Sequence, residues 1–274
     1  MSTNGFGPNL ARRVATALLV LPALVAALVF GPPLLAIGIV ALAVAAGLWE
    51  YFELLAARQL APSRLPGLIL AAALFLEVAQ PWGRGGSFWP GALLLLLAAA
   101  VRPGTELSAA IPTAAATMLG AVYLGALGGT IAALRILPPV ELGPQRLVLL
   151  LATVMFSDTF AFFCGHALGR HRLAPLISPG KTVEGAVGGV IGGMLGALLT
   201  RPLGFQDLPL PHLLGLGALA AGLGIAGDLF ESLLKRWAGV KDSGRLFPGH
   251  GGMLDRLDSL LFAAPVFYYY FYAR

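Results

Sequence analysis

The sequence predicts an all-α, polytopic integral membrane protein, and three observations predict it. Mean hydropathy is +0.84. Hydrophobic residues make up 58% of the chain and charged residues only 11%. The apolar residues also fall into runs of roughly 20, the length a helix needs to cross a hydrocarbon core. Soluble domains do not have this composition, so lipid is the expected solvent for most of the surface. In lipid each backbone polar group must find its partner within the segment, which favours helices over open strands.

Runs separated by Pro, Gly or charge predict spans near 14–31, 34–56, 66–80, 90–101, 112–137, 147–168, 183–200, 211–235 and 253–272. These amount to about nine helices. The first follows Arg12 and Arg13, as in a signal peptide, yet further spans follow at once and no small-x-small site precedes a polar mature region. An uncleaved helix is expected. The third and fourth are short, flank the polar insert Trp82-Gly83-Arg84-Gly85-Gly86, and read as tilted or re-entrant segments.

The sixth run carries Asp158 near its middle and the only cysteine, Cys164, which has no partner for a disulfide or a thiolate site. The seventh contains two glycine ladders, Gly185-Gly189-Gly193 and Gly188-Gly192-Gly196, where backbones can approach closely. These ladders serve packing within the chain or between two copies in a homodimer. The ninth ends in Phe267-Tyr268-Tyr269-Tyr270-Phe271-Tyr272, rings suited to a membrane interface.

The net charge of +5 does not point to nucleic acid, because the basic residues are scattered between apolar runs with no soluble module to present them. They follow the positive-inside rule instead. With the N-terminus in the cytoplasm, Arg58, Arg64, Arg102, Arg170, Arg172, Lys181, Lys235, Arg236, Lys241 and Arg245 all fall on the cytoplasmic side. The expected location is therefore the cell membrane, with the charged C-terminal region facing the cytoplasm. We divide the single membrane unit into residues 1–145, without a chemical motif, and residues 146–274, which hold a polar catalytic cavity.

Two pattern matches are set aside. Gly222-Leu223-Gly224-Ile225-Ala226-Gly227 has the spacing of a dinucleotide fingerprint but lies inside an apolar helix, without the preceding strand. Pro179-Gly180-Lys181-Thr182 resembles the end of a P-loop, yet Pro175 stands where the first glycine belongs.

The chemistry is concentrated between residues 227 and 259. Asp228, Glu231, Ser232 and Lys235 stand at i, i+3, i+4 and i+7, and so share one helix face. Asp255, Asp258 and Ser259 repeat the arrangement. Acids at the end of an apolar run are costly unless they bind something. Carboxylates from two helix faces suit a hard cation such as Mg²⁺, alone or with a second cation, which accepts phosphate oxygens as its remaining ligands. Lys235, Arg236, Lys241 and Arg245 supply positive charge for a polyphosphate. Gly249, Gly251 and Gly252 let backbone amides come close to an anion, and His250 between them is a phosphate donor, a proton carrier or a turn residue.

The run Ser232-x-x-Lys235-Arg236-x4-Lys241-Asp242-x-Gly244, continued by Pro248-Gly249-His250-Gly251-Gly252-x-x-Asp255-Arg256-x-Asp258, resembles the signature of the phosphatidate cytidylyltransferases, or CDP-diacylglycerol synthases. Ser157-Asp158-Thr159-x-Ala161-Phe162 and Ile177-Ser178-Pro179-x-Lys181-Thr182-x-Glu184-Gly185 are similar to two further motifs of that family. The resemblance covers roughly residues 150–272, and the N-terminal half matches only in hydropathy. It implies transfer of a cytidylyl group from CTP to phosphatidate in phospholipid biosynthesis, with Mg²⁺ as cofactor. Asp228 and Asp255 match the metal-binding carboxylates, with Glu231 and Asp258 as second choices. Lys235, Arg236 and Lys241 would clamp phosphates, Lys181 would complete the nucleotide site, and Asp158 would support the polar cavity.

Two other functions fit part of the pattern. A CTP-dependent polyprenol or phytol kinase would also use CTP at a membrane site, although the length of the match from Lys241 to Asp258 argues against it. A cation transporter could line its path with Asp158 and Asp228, but the nearby lysines would repel a cation.

Overall fold

The computed structural model describes residues 21–80, 87–101, 106–244, 246 and 251–274. It is a mostly helical bundle: α1 (Leu21–Phe30), α2 (Pro33–Ala56), α3 (Arg64–Ala79), α4 (Trp89–Ala100), α5 (Leu107–Gly120), α6 (Leu127–Ile136), α7 (Gly143–Leu168), α8 (Val183–Leu199), α9 (Leu210–Ala238) and α10 (Leu254–Tyr272). Five helical segments among the described residues are long and apolar enough to cross a membrane. They are Pro33–Ala56, Leu107–Ile136, Val140–Leu168, Val183–Leu203 and Leu210–Ala238. α10 adds a further apolar stretch behind the charged turn that holds Asp255, Arg256 and Asp258.

The apolar run expected near 112–137 is one continuous helical rod. A π-helical segment, Ala121–Ala126, joins α5 to α6. Its wider turn sits where Gly125 packs against the backbone of Ala71 on α3 and brings Tyr123 and Leu124 into the core. Pro112 is accommodated in the first turns of α5, upstream of that packing.

Large apolar side chains remain outside on several helices, among them Leu42, Leu94, Val187, Ile191 and Leu219. A soluble protein exposing such a belt would aggregate, whereas in a bilayer it is the lipid-facing surface. Because lipid tails are as apolar as leucine, helix association must come from close packing. The glycine ladders of α8 provide that contact within the chain. A methyl group on Gly192 would stand 2.5 Å from the backbone oxygen of Phe156 on α7, and one on Gly193 would meet Ala221 on α9. The ladder of Gly188, Gly192 and Gly196 faces α7, while the other turns from α7 at Gly185 to α9 at Gly193, which makes α8 the spacer between them.

One feature departs from an all-helical expectation. The loop between α7 and α8 folds into a hairpin of β1 (Arg172–Ala174) and β2 (Ser178–Thr182), paired antiparallel with Arg172 opposite Thr182. Two ties hold its base. Glu184 Oε2 accepts from the backbone N–H groups of Arg170 and His171 at 3.1 and 3.2 Å, and Arg172 Nη1 donates to Pro179 O at 2.7 Å. Thr182 then caps α8 by accepting from Gly185 N. The basic run Arg170-His171-Arg172 thus builds the hairpin, and its last strand delivers Lys181.

Candidate active site

The site forms where the last turns of α9 meet the first turns of α10. Glycine on α9 permits the approach, since a methyl group on Gly227 would lie 2.5 Å from the backbone oxygen of Asp258. Gly224 faces Ser259 one turn earlier. Two glycines of the pattern resembling a dinucleotide fingerprint, Gly224 and Gly227, therefore form a helix-packing face, which sets the next residue, Asp228, against α10.

Carboxylate oxygens of Asp228, Glu231 and Asp258 lie within 4.8 Å of one another. Glu231 is fully buried, while Asp228 and Asp258 are half-buried. Lys181 from β2 stands 2.5 Å from Asp228 Oδ2. Lys235 pairs with Glu231 one turn back on its own helix and lies 2.6 Å from Asp255 Oδ1 on α10. Asp158, on the open side of α7, interacts electrostatically with Asp228, Lys181 and Arg256. Three carboxylates converge with two ammonium groups between them. Glu231 Oε1 is buried and receives no hydrogen bond from a donor among the described residues. Like charges at this spacing repel strongly in a medium of low dielectric. A cluster of hard oxygen donors with one donor left unpaired fits a hard divalent cation such as Mg²⁺.

Asp255 has a different environment. Its Oδ1 receives Lys235, and its Oδ2 accepts from Gly252 N at 2.7 Å, Ser243 Oγ at 2.8 Å and Ser243 N at 3.2 Å. Asp255, expected to share a metal with Asp228, holds the glycine-rich segment and one lysine in this structure. Gly251 has φ +82°, and any side chain there would run into Asp255 Oδ2, so glycine is required. A cation in the carboxylate cluster would compete with Lys235 for Glu231.

The remaining expected residues lie around this core. Arg236 donates to Ile177 O at 3.3 Å and to Val240 O at 3.4 Å, tying the end of α9 to the hairpin. Lys241 is exposed on the loop after Gly239 and makes no ion pair among the described residues. Ser232 lies half-buried on α9. Gly249 and His250, with Arg245, fall outside the described residues.

One participant went unread in the sequence. Glu50 of α2 is buried, and its carboxylate accepts from Met253 N and Leu254 N, both at 2.9 Å, and from Ser243 Oγ at 3.0 Å. It makes no ion pair among the described residues. The available signal was an acid inside an apolar run, Leu48-Trp49-Glu50-Tyr51, which marks function or a specific partner in a membrane helix. The first half of the chain therefore reaches the site.

Residues 11–273 match the cytidylyltransferase family. The chain is similar to "Uncharacterized protein YnbB" of Escherichia coli strain K12, at 43% identity over 48% of this chain and 44% of that protein. It is also similar to a phosphatidate cytidylyltransferase of Thermotoga maritima, at 41% identity over 48% of this chain and 50% of the relative. A phosphatidate cytidylyltransferase of Synechocystis sp. is 34% identical over 84% of this chain and 86% of the relative. Against the first two the chain spans about half the relative's length, and against the third most of both chains align.

Proposed function

The chain belongs to the cytidylyltransferase family, and from that premise we propose that it is a phosphatidate cytidylyltransferase, converting CTP and phosphatidate to CDP-diacylglycerol and pyrophosphate. The observation that carries the proposal is the juxtaposition of the Asp228, Glu231 and Asp258 carboxylates with the Lys181 and Lys235 ammonium groups at one end of an apolar bundle. Such a site offers acid to a cation and base to phosphates, next to lipid. The printed names of relatives from Thermotoga maritima and Synechocystis support the same reading.

In this reading an oxygen of the phosphatidate phosphate attacks the α-phosphorus of CTP in line. The bond from that phosphorus to the bridging oxygen of the β-phosphate breaks, and pyrophosphate leaves with the bond's electron pair. A phosphate monoester is already largely ionised near neutral pH, so the site needs no strong base. Mg²⁺, held by Asp228, Glu231 and Asp258, would supply charge neutralisation on the phosphate oxygens when bound. Lys181 and Lys235 meet the triphosphate, with Arg236 and Lys241 at its rim. Asp255 orients Lys235 and Gly252. Asp158 keeps the lipid-side approach to the cluster polar.

The finer topology belongs to the same proposal. About nine helices span the cell membrane, the N-terminus is cytoplasmic, and the site opens to the cytoplasm, where CTP is found. The test is a product assay with CTP labelled at either the α- or the γ-phosphorus, with phosphatidate as acceptor. The α-label should enter the lipid together with cytidine, and the γ-label should leave in pyrophosphate. Lipid carrying the γ-label would reveal a kinase and overturn the proposal.

A further inference from the structure

A carboxylate buried in a membrane helix with no ion pair among the described residues needs compensation of another kind, and Glu50 receives it from hydrogen-bond donors. Met253 N and Leu254 N are the unpaired amides at the start of α10, where the helix dipole also favours a negative charge. Glu50 thus caps from outside a helix that has no side-chain cap of its own, since Met253 makes none. The space around it is closed. A methyl group added to Gly244 or to Gly252 would collide with the Glu50 carboxylate. Both loop ends that frame the glycine-rich segment therefore fold directly over this one side chain.

Ser243 extends the contact to the reactive cluster. Its Oγ lies 3.0 Å from Glu50 Oε2 and 2.8 Å from Asp255 Oδ2. A hydroxyl carries a single proton and can donate to only one of two carboxylates at a time. The backbone N–H groups of Ser243 and Gly252 hold the same Asp255 oxygen. The rotamer of Asp255, and with it the position of Lys235, is therefore set by a loop whose geometry Glu50 fixes.

We infer that Glu50 is a positioning residue for the catalytic cluster, acting through Ser243 and the first amides of α10 on Asp255. The inference rests on the cytidylyltransferase reading for its activity readout, though not for its geometry. It makes α2 part of the working site, so the catalytic unit extends into the half of the chain that carries none of the recognised motifs. Glu50→Gln replaces an all-acceptor group by one that must turn an N–H₂ toward donors, and so disrupts the contact with little change in volume.

The test uses the full chain in detergent or nanodiscs, with Glu50→Gln, Glu50→Asp, Ser243→Ala and the Glu50→Gln/Ser243→Ala double variant. In Glu50→Gln, kcat/KM should fall about tenfold or more and half-maximal activity should need severalfold more Mg²⁺, as for other residues that orient ligands from behind. Because Glu50 acts through the amides of α10 as well as through Ser243, the double variant should lose no more than Glu50→Gln alone, less than the product of the two single losses. With metal absent, amide exchange in peptides spanning 251–258 should accelerate in Glu50→Gln. Manganese binding followed by electron paramagnetic resonance should weaken in the same variant. Wild-type kinetics, metal dependence and exchange in Glu50→Gln would overturn the inference, as would losses that multiply in the double variant. Should Glu50→Gln fail to fold, Glu50→Asp decides. It keeps the charge but shortens the reach, so wild-type kcat/KM and Mg²⁺ dependence in it would equally overturn the inference. If the wild-type protein makes no CDP-diacylglycerol, the functional proposal fails, and the exchange and manganese measurements still judge the role of Glu50.

Discussion

Lys235 Nζ stands 2.6 Å from Asp255 Oδ1 while also pairing with Glu231, so one ammonium group joins the carboxylates of two helices. Both ends of this link are withdrawn from the surface, with only 13% of the lysine side chain and 11% of the Asp255 side chain accessible. Replacement by methionine keeps the aliphatic stem and removes the charge. Breaking a buried pair from one side costs about 3–5 kcal/mol. Lys235→Met should therefore lower the thermal midpoint in detergent and abolish turnover, and added Mg²⁺ should restore part of the midpoint by neutralising the stranded carboxylates. A midpoint equal to wild type would show that the ammonium carries no structural charge.

Asp228 and Asp258 contribute to the carboxylate cluster from different helices, and each is exposed enough to tolerate an amide. Asp228→Asn and Asp258→Asn should each reduce kcat by at least about 100-fold, on the scale of losing one transition-state electrostatic partner. Both should elute as the wild-type protein does. Asp255→Asn should be as inactive, and also less stable, because the amide cannot accept at both positions now engaged by Lys235, Ser243 and Gly252. Near-normal turnover at ordinary Mg²⁺ in any of the three would remove that residue from the site.

The contact of Gly227 with Asp258 predicts a packing variant that changes no chemical group. Gly227→Ala would overpack the contact between α9 and α10 at a cost of about 1–3 kcal/mol and move Asp228 away from Asp258, so activity should fall sharply. Gly222→Ala is the control, because nothing lies within 4 Å of a methyl group there. It should be as active as wild type, and more stable by up to about 1 kcal/mol on helix propensity. Equal behaviour of the two variants in a product assay would contradict the close approach.

Orientation can be read by labelling. Asp242 is exposed beside the site, unlike its buried neighbour Ser243. Asp242→Cys in a Cys164→Ala background should react with an impermeant maleimide only after the cytoplasmic face is opened. Reaction in intact cells would reverse the topology and remove access to cytoplasmic CTP.

How much of this was legible in the sequence depends on range. The apolar runs located the helices because hydropathy and backbone satisfaction act locally. The acidic face of α9 was legible because helical spacing places Asp228, Glu231 and Lys235 together. Partners across helices were not legible. Spacing within α10 could not say that Asp258 would meet Asp228 while Asp255 turned to Lys235 and the loop, since that depends on the rotation of α10 against α9, set by Gly224 and Gly227. The hairpin of residues 172–182 was hidden because its pairing relies on Glu184 and Arg172 binding backbone groups, which no periodicity announces. Glu50 was passed over because its partners lie in the distant loop and in α10.

The bonds from Glu50 to Ser243 and Leu254 bridge 193 and 204 positions of the chain. During synthesis α2 is made long before those donors exist, so its carboxylate must find other polar partners until α10 arrives. A ribosome that stalls before residue 254 leaves that charge unanswered in the membrane. Only a chain translated through the start of α10 supplies the donors that hold it.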